Sequence, residues 1–140
     1  VVANFRPHVW ELRQSVLMTP LVTNQIDVSL GEISPFTNGD LAFHQRQGQP
    51  VMAWSPLGGG GLMTGSEKLH VVMDDIAGAQ GVDRAAVATA FLLAHPARII
   101  PVMGTNNIDR IKNIAEATRV TLDRPTWFRL YEAALGHEVA

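Results

Sequence analysis

The sequence has 140 residues, of which 46% are hydrophobic and 17% charged, with a formal net charge of -2 and no cysteine. This composition is typical of a single globular domain, 1–140, and it excludes a disordered chain, a disulfide scaffold and a thiolate metal site. The charge provides no basic surface for nucleic acid. The longest apolar run is far below the roughly 20 residues that span a membrane. We therefore expect binding to neither nucleic acid nor a membrane, and a cytoplasmic location.

Four short runs rich in β-forming residues predict strands, in chain order at 1–5, 21–29, 49–55 and 97–105. Helical patterns lie between these strands, in the order strand, helix, strand, helix, strand, helix, strand, helix, with one further helix at the end. The pattern within 81–96 begins with Asp83 as a predicted N-cap, and the patterns over 106–120 and 123–140 continue to the end, with Gly136 predicted to close the last helix.

Strands separated by helices predict right-handed crossovers and a parallel sheet. Two α/β architectures fit this order: a complete four-stranded doubly wound sheet, or the second half of a (β/α)8 TIM barrel of about 250 residues. The chain opens on Val1 and Val2 without an initiator methionine, which favours the half barrel, with four βα units and a C-terminal helix. An open half barrel exposes two sheet edges, so we expect self-association through them.

Ligands of both architectures bind at the carboxyl ends of the strands. In this sequence those ends carry amides, hydroxyls, glycines and one aromatic ring: Asn4, Gln25, Trp54, Ser55, Gly104, Thr105 and Asn106. Amides suit a ligand with its own carboxamide, a tryptophan can stack on a flat heterocycle, and the glycine run 58–61 lets backbone N–H groups approach an anion. Gly104–Asn106 is expected to open a helix that carries Arg110, which indicates a phosphate site.

Each of these features also has a purely structural interpretation. Trp54 can be a core aromatic, the glycine run a flexible loop, and Asn4 and Gln25 can hold neighbouring backbone. Arg110 can pair with Asp109 or Glu116 on the same helix.

Two further groups of polar residues indicate no site. The five histidines are scattered without the spacing of metal ligands. Asp74 and Asp75 are adjacent, so on a helix their side chains diverge, and a solvated helix face explains them.

Four segments in order, VVANF, NQIDVS, AWSPLGGG and IIPVMGTNNIDRI, resemble the second half of the aldo-keto reductases, in particular bacterial oxidoreductases with the AWSPLGGG segment. The resemblance covers essentially the whole chain. It implies a (β/α)8 barrel of which this chain is the fifth to eighth βα units, binding of NADP(H), and hydride transfer to a small aldehyde or ketone.

The resemblance also implies roles for single residues. Asn4 and Gln25 would hold the nicotinamide carboxamide, and Trp54 would stack on the nicotinamide ring. The residues implied at the pyrophosphate are Ser55, Pro56, Leu57, Gly58 and Gly59. Those implied at the 2′-phosphate and adenosine are Gly104, Thr105, Asn106, Arg110 and Asn113.

The sequence departs from the family pattern at Ala3, Gly104 and Ile114, where relatives often carry serine, lysine and asparagine, so NAD stays open beside NADP. The family's catalytic Asp, Tyr, Lys and His belong to the first half of the barrel, which implies no catalytic residue here and no activity of the chain alone. The sole tyrosine, Tyr131, is expected to pack in the last helix. A nucleotide-sensing regulatory subunit and a non-catalytic half-barrel binding module are the alternatives.

Overall fold

The computed structural model describes residues 1–139. Its four strands are β1 (Val2–Ala3), β2 (Asn24–Asp27), β3 (Val51–Trp54) and β4 (Ile100–Pro101). Its α-helices are α1 (Pro7–Val16), α2 (Asp40–Arg46), α3 (Lys68–Gln80), α4 (Arg84–Leu93), α5 (Ile108–Ala115) and α6 (Arg124–Leu135). Short 3-10 helices lie at Ser34–Phe36, Gly58–Met63 and Glu116–Arg119.

The four strands form one parallel sheet in the order β1-β2-β3-β4. In this order every crossover moves one place in the same direction, and right-handed crossovers then put their helices on one face of the sheet. A doubly wound sheet reverses direction and carries helices on both faces. The observed order is therefore that of a barrel wall, and it decides between the two architectures that the sequence left open.

Burial alternates along the central strands. On β3, Val51 and Ala53 are fully buried beneath the helices, while Met52 and Trp54 are only half-buried on the other face. The buried face belongs to the main hydrophobic core, together with α4 residues such as Phe91. One face of the sheet is thus packed, and the other is open.

The strands lie where the sequence predicts them, but they are shorter. β1 and β4 have two residues each, because each has only one neighbouring strand with which to form a ladder, and Pro101 has no N–H to donate. Parallel strands are commonly buried on both faces, but β4 is not. Ile100 is 46% exposed, since only one face of the sheet is covered.

Two helices, α3 and α4, connect β3 to β4, one more than the sequence pattern predicts. Asp74 and Asp75 lie on α3, but they are not merely solvated. Asp74 pairs with Arg84 at 2.6 Å and Asp75 with Arg129 at 2.5 Å, so α3 is tied to both α4 and α6.

The predicted caps are confirmed. The Asp83 carboxylate accepts the Ala86 N–H at 2.8 Å at the start of α4, and Gly136 ends α6 in the left-handed conformation with a φ of 88°. The helix expected over 123–140 therefore ends at Leu135, and Ala140 lies outside the described residues.

Large apolar side chains are exposed on the elements that flank the two edge strands. They are Leu12 and Val16 on α1, Met18 just after it, and Ile108 and Ile111 on α5. No helix within residues 1–139 is long and apolar enough to cross a membrane.

Candidate functional site

A groove of about 820 Å³ opens at the carboxyl ends of β3 and β4, and we call it the strand-end groove. It is bordered by the loop after β3, the start of α4 and the start of α5. Nine predicted site residues line it: Trp54, Ser55, Pro56, Leu57, Gly59, Gly104, Thr105, Arg110 and Asn113. The fold thus brings together side chains from two stretches of sequence about fifty residues apart.

Trp54 ends β3 at one end of the strand-end groove. Its indole N–H donates a hydrogen bond to Asn4 Oδ1 at 3.0 Å. Asn4 follows β1 with a φ of 57°, and its backbone N–H donates to the Gln25 carbonyl at 2.9 Å. Asn4 borders a smaller neighbouring cavity of about 180 Å³, and Gln25 does not line the groove. Asn4 is therefore joined to the groove through Trp54, whereas Gln25 contributes only its backbone carbonyl, to Asn4.

The loop after β3 is a defined turn and not a loose one. Ser55 has a φ of 48°, and Gly58, Gly59 and Gly60 also have positive φ, a backbone region that favours glycine and is strained for serine. The N–H groups of Gly58 and Gly60 donate to the carbonyls of Ser55 and Leu57. Because these two N–H groups are used within the loop, only part of the glycine run can face a ligand, and Gly58 does not line the groove.

The opposite end of the groove is formed by the start of α5. This helix begins at Ile108, not at Gly104–Asn106 as the sequence suggested, because Asn107 is the N-cap and its Oδ1 accepts the Arg110 N–H at 3.0 Å. Thr105 Oγ1 in turn accepts the Asn107 N–H. Asn106 is exposed and lies outside the groove.

Arg110 supplies the positive charge at this end. Arg110 lines the groove, and its guanidinium forms no ion pair with any residue within 1–139. The alternative of pairing with Glu116 is not observed, since Glu116 pairs with Arg119. An unpaired guanidinium beside a helix N-terminus is a site for an anion.

Besides the nine predicted site residues, the groove is lined by Gly60, Met63, Asp83, Ala85, Val102, Met103 and Ile114. Asp83 and Ala85 belong to the start of α4, nearly thirty residues beyond Trp54. No local sequence signal places them here, because their position depends on how α4 packs against the loop after β3.

A buried polar pair behind β1 and β2 was also missed. Asn24 and His44 are both fully buried, with Asn24 Nδ2 3.2 Å from His44 Nε2. Burial lowers the pKa of His44 below its ordinary value, more than Gln49 and Asp40 raise it. Asn24 precedes the predicted site residue Gln25 directly, which is the only hint that the sequence offers.

Tyr131 packs, as expected. It is buried and stacks on the indole of Trp127, with ring centroids 5.5 Å apart.

A barrel wall with a groove at the carboxyl ends of its strands defines a βα-barrel domain. The model of the aldo/keto reductase family matches residues 2–134, and the chain belongs to this family. The family and the barrel fold expected from the sequence are thus confirmed.

Known relatives agree with this assignment. The chain is 54% identical to 6-dehydroglucose reductase of Agrobacterium fabrum and 33% identical to oxidoreductase YdhF of Escherichia coli, in both cases over 99% of the chain and 47% of the relative. It therefore spans about half the length of the curated relatives it matches.

Two solved structures show the same fold. The thermostable aldo-keto reductase Tm1743 matches with a TM-score of 0.85 at 24% identity, over 94% of this chain and 46% of that one. Aldose reductase from Giardia lamblia matches with a TM-score of 0.75 at 19% identity, over 99% and 45%.

Proposed function

We propose that the strand-end groove binds NADP(H) and that the protein is a reductase of small aldehydes or ketones. Family membership supports the class of reaction. The observation that carries the cofactor assignment is the groove itself, which has an aromatic ring at one end and the unpaired guanidinium of Arg110 at the other.

The residues present fit this cofactor. Trp54 is half-buried with its indole N–H bound to Asn4, which leaves the ring to border the groove. Gly59 and Gly60 have no atom within 4 Å of where a Cβ would stand, so the loop leaves open space beside the groove. Trp54, this loop and Arg110 would suit a flat ring, a pyrophosphate and a phosphate monoester.

When bound, the nicotinamide would supply the hydride. The residues of this chain bind and orient. Trp54 offers an aromatic surface to a flat ring, and the amide of Asn4 offers polar atoms beside it. Arg110 offers charge and paired N–H donors to a phosphate, which is the basis for proposing NADP over NAD.

Proton donation is not assigned to this part of the protein. Tyr131 is buried among aromatic rings on α6 and is not a lining residue of the groove. We propose that the general acid lies outside residues 1–140 and that these residues alone bind cofactor without turnover.

The first experiment is an NADPH titration of the protein at the full length that its gene encodes, followed by tryptophan fluorescence. Arg110→Ala should weaken NADPH binding about tenfold, the usual loss for a charged phosphate contact, and weaken NADH binding much less. Lys112→Ala is the matched control, because Lys112 is exposed on the same helix and does not line the groove.

Equal effects of Arg110→Ala and Lys112→Ala would contradict the cofactor assignment. They would indicate that only the general positive charge of α5 matters.

Carbonyl reduction separates a reductase from a nucleotide-sensing subunit. The first substrate to test is 6-dehydroglucose, because a relative with 54% identity is named 6-dehydroglucose reductase. Oxidation of NADPH that depends on this sugar supports the proposal, whereas binding without reduction of any aldehyde or ketone supports the sensing alternative.

Two further expectations from the sequence stay predictions. Self-association through the edges that α1 and α5 border is tested by size-exclusion chromatography with light scattering. The cytoplasmic location is tested by cell fractionation.

A further inference from the structure

Asn24 is a polar residue at a position where the fold calls for an apolar one. It lies on the face of β2 that packs beneath the helices, next to Ile26 on the same face, and it is fully buried. Burying an amide is unfavourable unless each of its polar atoms is paired. The contacts of Asn24 should therefore show what the amide does there.

The Asn24 amide binds both backbone polar groups of a single residue. Its Oδ1 accepts the Phe5 N–H at 3.2 Å, and its Nδ2 donates to the Phe5 carbonyl at 2.7 Å. The same Nδ2 lies 3.2 Å from His44 Nε2, which must accept because Nδ2 can only donate. The amide is thus satisfied, and it fixes Phe5 against β2.

Phe5 directly follows Asn4, and the backbone conformation of Asn4 has to be held by its surroundings. Asn4 has a φ of 57°, a conformation that persists in a non-glycine residue only where its surroundings hold it. β1 has two residues and one neighbouring strand, so its ladder alone gives little support. β2 holds both residues, since the Gln25 carbonyl accepts the Asn4 N–H and the Asn24 side chain binds the backbone of Phe5.

The last link is the bond from Trp54 Nε1 to Asn4 Oδ1. It directs the amide oxygen of Asn4 to the indole. The Asn4 Nδ2 makes no hydrogen bond to another residue within 1–139. A contiguous series of contacts therefore runs from the buried His44 through Asn24, Phe5 and Asn4 to the aromatic end of the groove.

We propose that Asn24 is a positioning residue for the nicotinamide end of the strand-end groove, acting through Phe5 on Asn4 and Trp54. It touches no ligand itself. It keeps Asn4 in the conformation in which one amide atom binds Trp54 and the other is left for the carboxamide of a ligand. This inference rests on the proposed function, because the ligand that it concerns is the nicotinamide half of NADP(H).

The test compares two ligands that share the adenosine end, NADPH and adenosine 2′,5′-bisphosphate, in the protein at its encoded full length. Asn24→Leu keeps the approximate volume and removes both bonds to Phe5. It should weaken NADPH binding about tenfold and change binding of adenosine 2′,5′-bisphosphate less than about twofold, because only NADPH reaches the aromatic end.

Leu130→Ala controls for lost stability. Leu130 is fully buried on α6, which packs on α3, so its truncation should destabilise the fold without selecting between the two ligands. If Asn24→Leu does not fold, Asn24→Ser keeps a hydroxyl in the same space, and a loss of about threefold for NADPH alone is then expected.

A double-mutant cycle with Asn4→Ala tests whether Asn24 acts through Asn4. In the Asn4→Ala background, Asn24→Leu should change NADPH binding by less than about twofold. If the losses of NADPH affinity in the two single variants multiply in the double variant, the inference is overturned. The same holds if Asn24→Leu weakens binding of both ligands equally. The proposed function stands in either case. If the wild-type protein binds neither ligand, the proposed function fails and the inference fails with it.

Discussion

Trp54 and Trp127 show how the same side chain has different roles in two regions of this fold. The indole N–H of each is paired: that of Trp127 donates to the Phe91 carbonyl at 2.9 Å and that of Trp54 to Asn4 Oδ1. Trp127 also stacks on Phe91, with centroids 4.5 Å apart, and on Tyr131. Trp54 has no aromatic neighbour among residues 1–139 and borders an open groove.

A cavity alone does not distinguish the two regions, because Trp127 borders one of about 550 Å³. The charged groups do. Arg124 beside Trp127 lies over the ring of Phe128, 5.8 Å from its centroid, while Arg110 in the strand-end groove has no ion pair within the described residues. Both indoles are half-buried. A tryptophan stacked on two other rings and an engaged cation indicate packing, whereas a tryptophan without aromatic neighbours and an unpaired cation indicate a ligand site.

The largest expected difference concerns stability. Trp127→Ala should lower the free energy of unfolding by about 3–5 kcal/mol, because it removes a ring that packs against several others. Trp54→Ala should lower it by about 1 kcal/mol, the usual loss for one hydrogen bond at a half-buried site. Urea unfolding of both variants measures the two values.

Binding should show the reverse order. Trp54→Ala should weaken NADPH binding about tenfold, and Trp127→Ala should leave it nearly unchanged under conditions in which the variant is folded. Equal losses of stability in the two variants would mean that Trp54 is a core residue and that the comparison fails.

The second difference is tested by pH. His95, whose ring centroid lies 6.0 Å from that of Trp127, and His44, behind β1 and β2, both have a pKa lowered by burial from the ordinary value of 6.5. Below pH 6.5 the unfolded chain therefore binds more protons than the native one, so stability falls as the pH falls towards the native pKa values. Each histidine contributes at most about 1.4 kcal/mol per pH unit.

Denaturant unfolding at pH 7.5, 6.5 and 5.5 measures this fall in stability. His95→Gln should remove the share of the fall that comes from His95, which lies beside Trp127. Stability that stays constant or rises between pH 7.5 and 5.5 would contradict the lowered pKa of the two histidines.

The smallest expected effect comes from a matched pair of glycines. Gly59 and Gly136 both have positive φ, of 62° and 88°, and no atom lies within 4 Å of the position that a Cβ would take at either residue. Alanine at either position should therefore cost about 1 kcal/mol of stability through backbone strain alone. Only Gly59→Ala should also change NADPH binding, because only Gly59 lines the groove.

Thermal unfolding and NADPH titration of both variants separate the two effects. A change in NADPH binding caused by Gly136→Ala would show that α6 influences the groove and that the two regions are not independent.

Local signals in the sequence were sufficient for much of the fold. Asp83 and Gly136 have the chemistry of caps, and the four apolar runs mark the strands, because capping and β-propensity act over a few residues. Strand lengths were not predictable in the same way. They depend on how many neighbours each strand has, which is a property of the sheet and not of the run.

Local signals in the sequence also indicate only part of the candidate site. Trp54 and the glycine loop were indicated because they stand at the end of a strand, and Arg110 because it lies on the helix that follows one. The contribution of Asp83 and the clamp of Asn24 on Phe5 were not, because both depend on contacts between distant segments. The start of α5 was misplaced since Asn106 and Asn107 are chemically equal candidates for the cap, and only the backbone shows which one is used.

The central claim is that Trp54, which borders the strand-end groove, and not Trp127, which stacks on other rings, marks the cofactor site. A crystal structure of the full-length protein with NADP+ tests it most directly. We expect electron density for the nicotinamide against Trp54 and for the 2′-phosphate at Arg110. Density in the cavity beside Trp127, or a nucleotide whose adenine end lies at Trp54, would contradict the account.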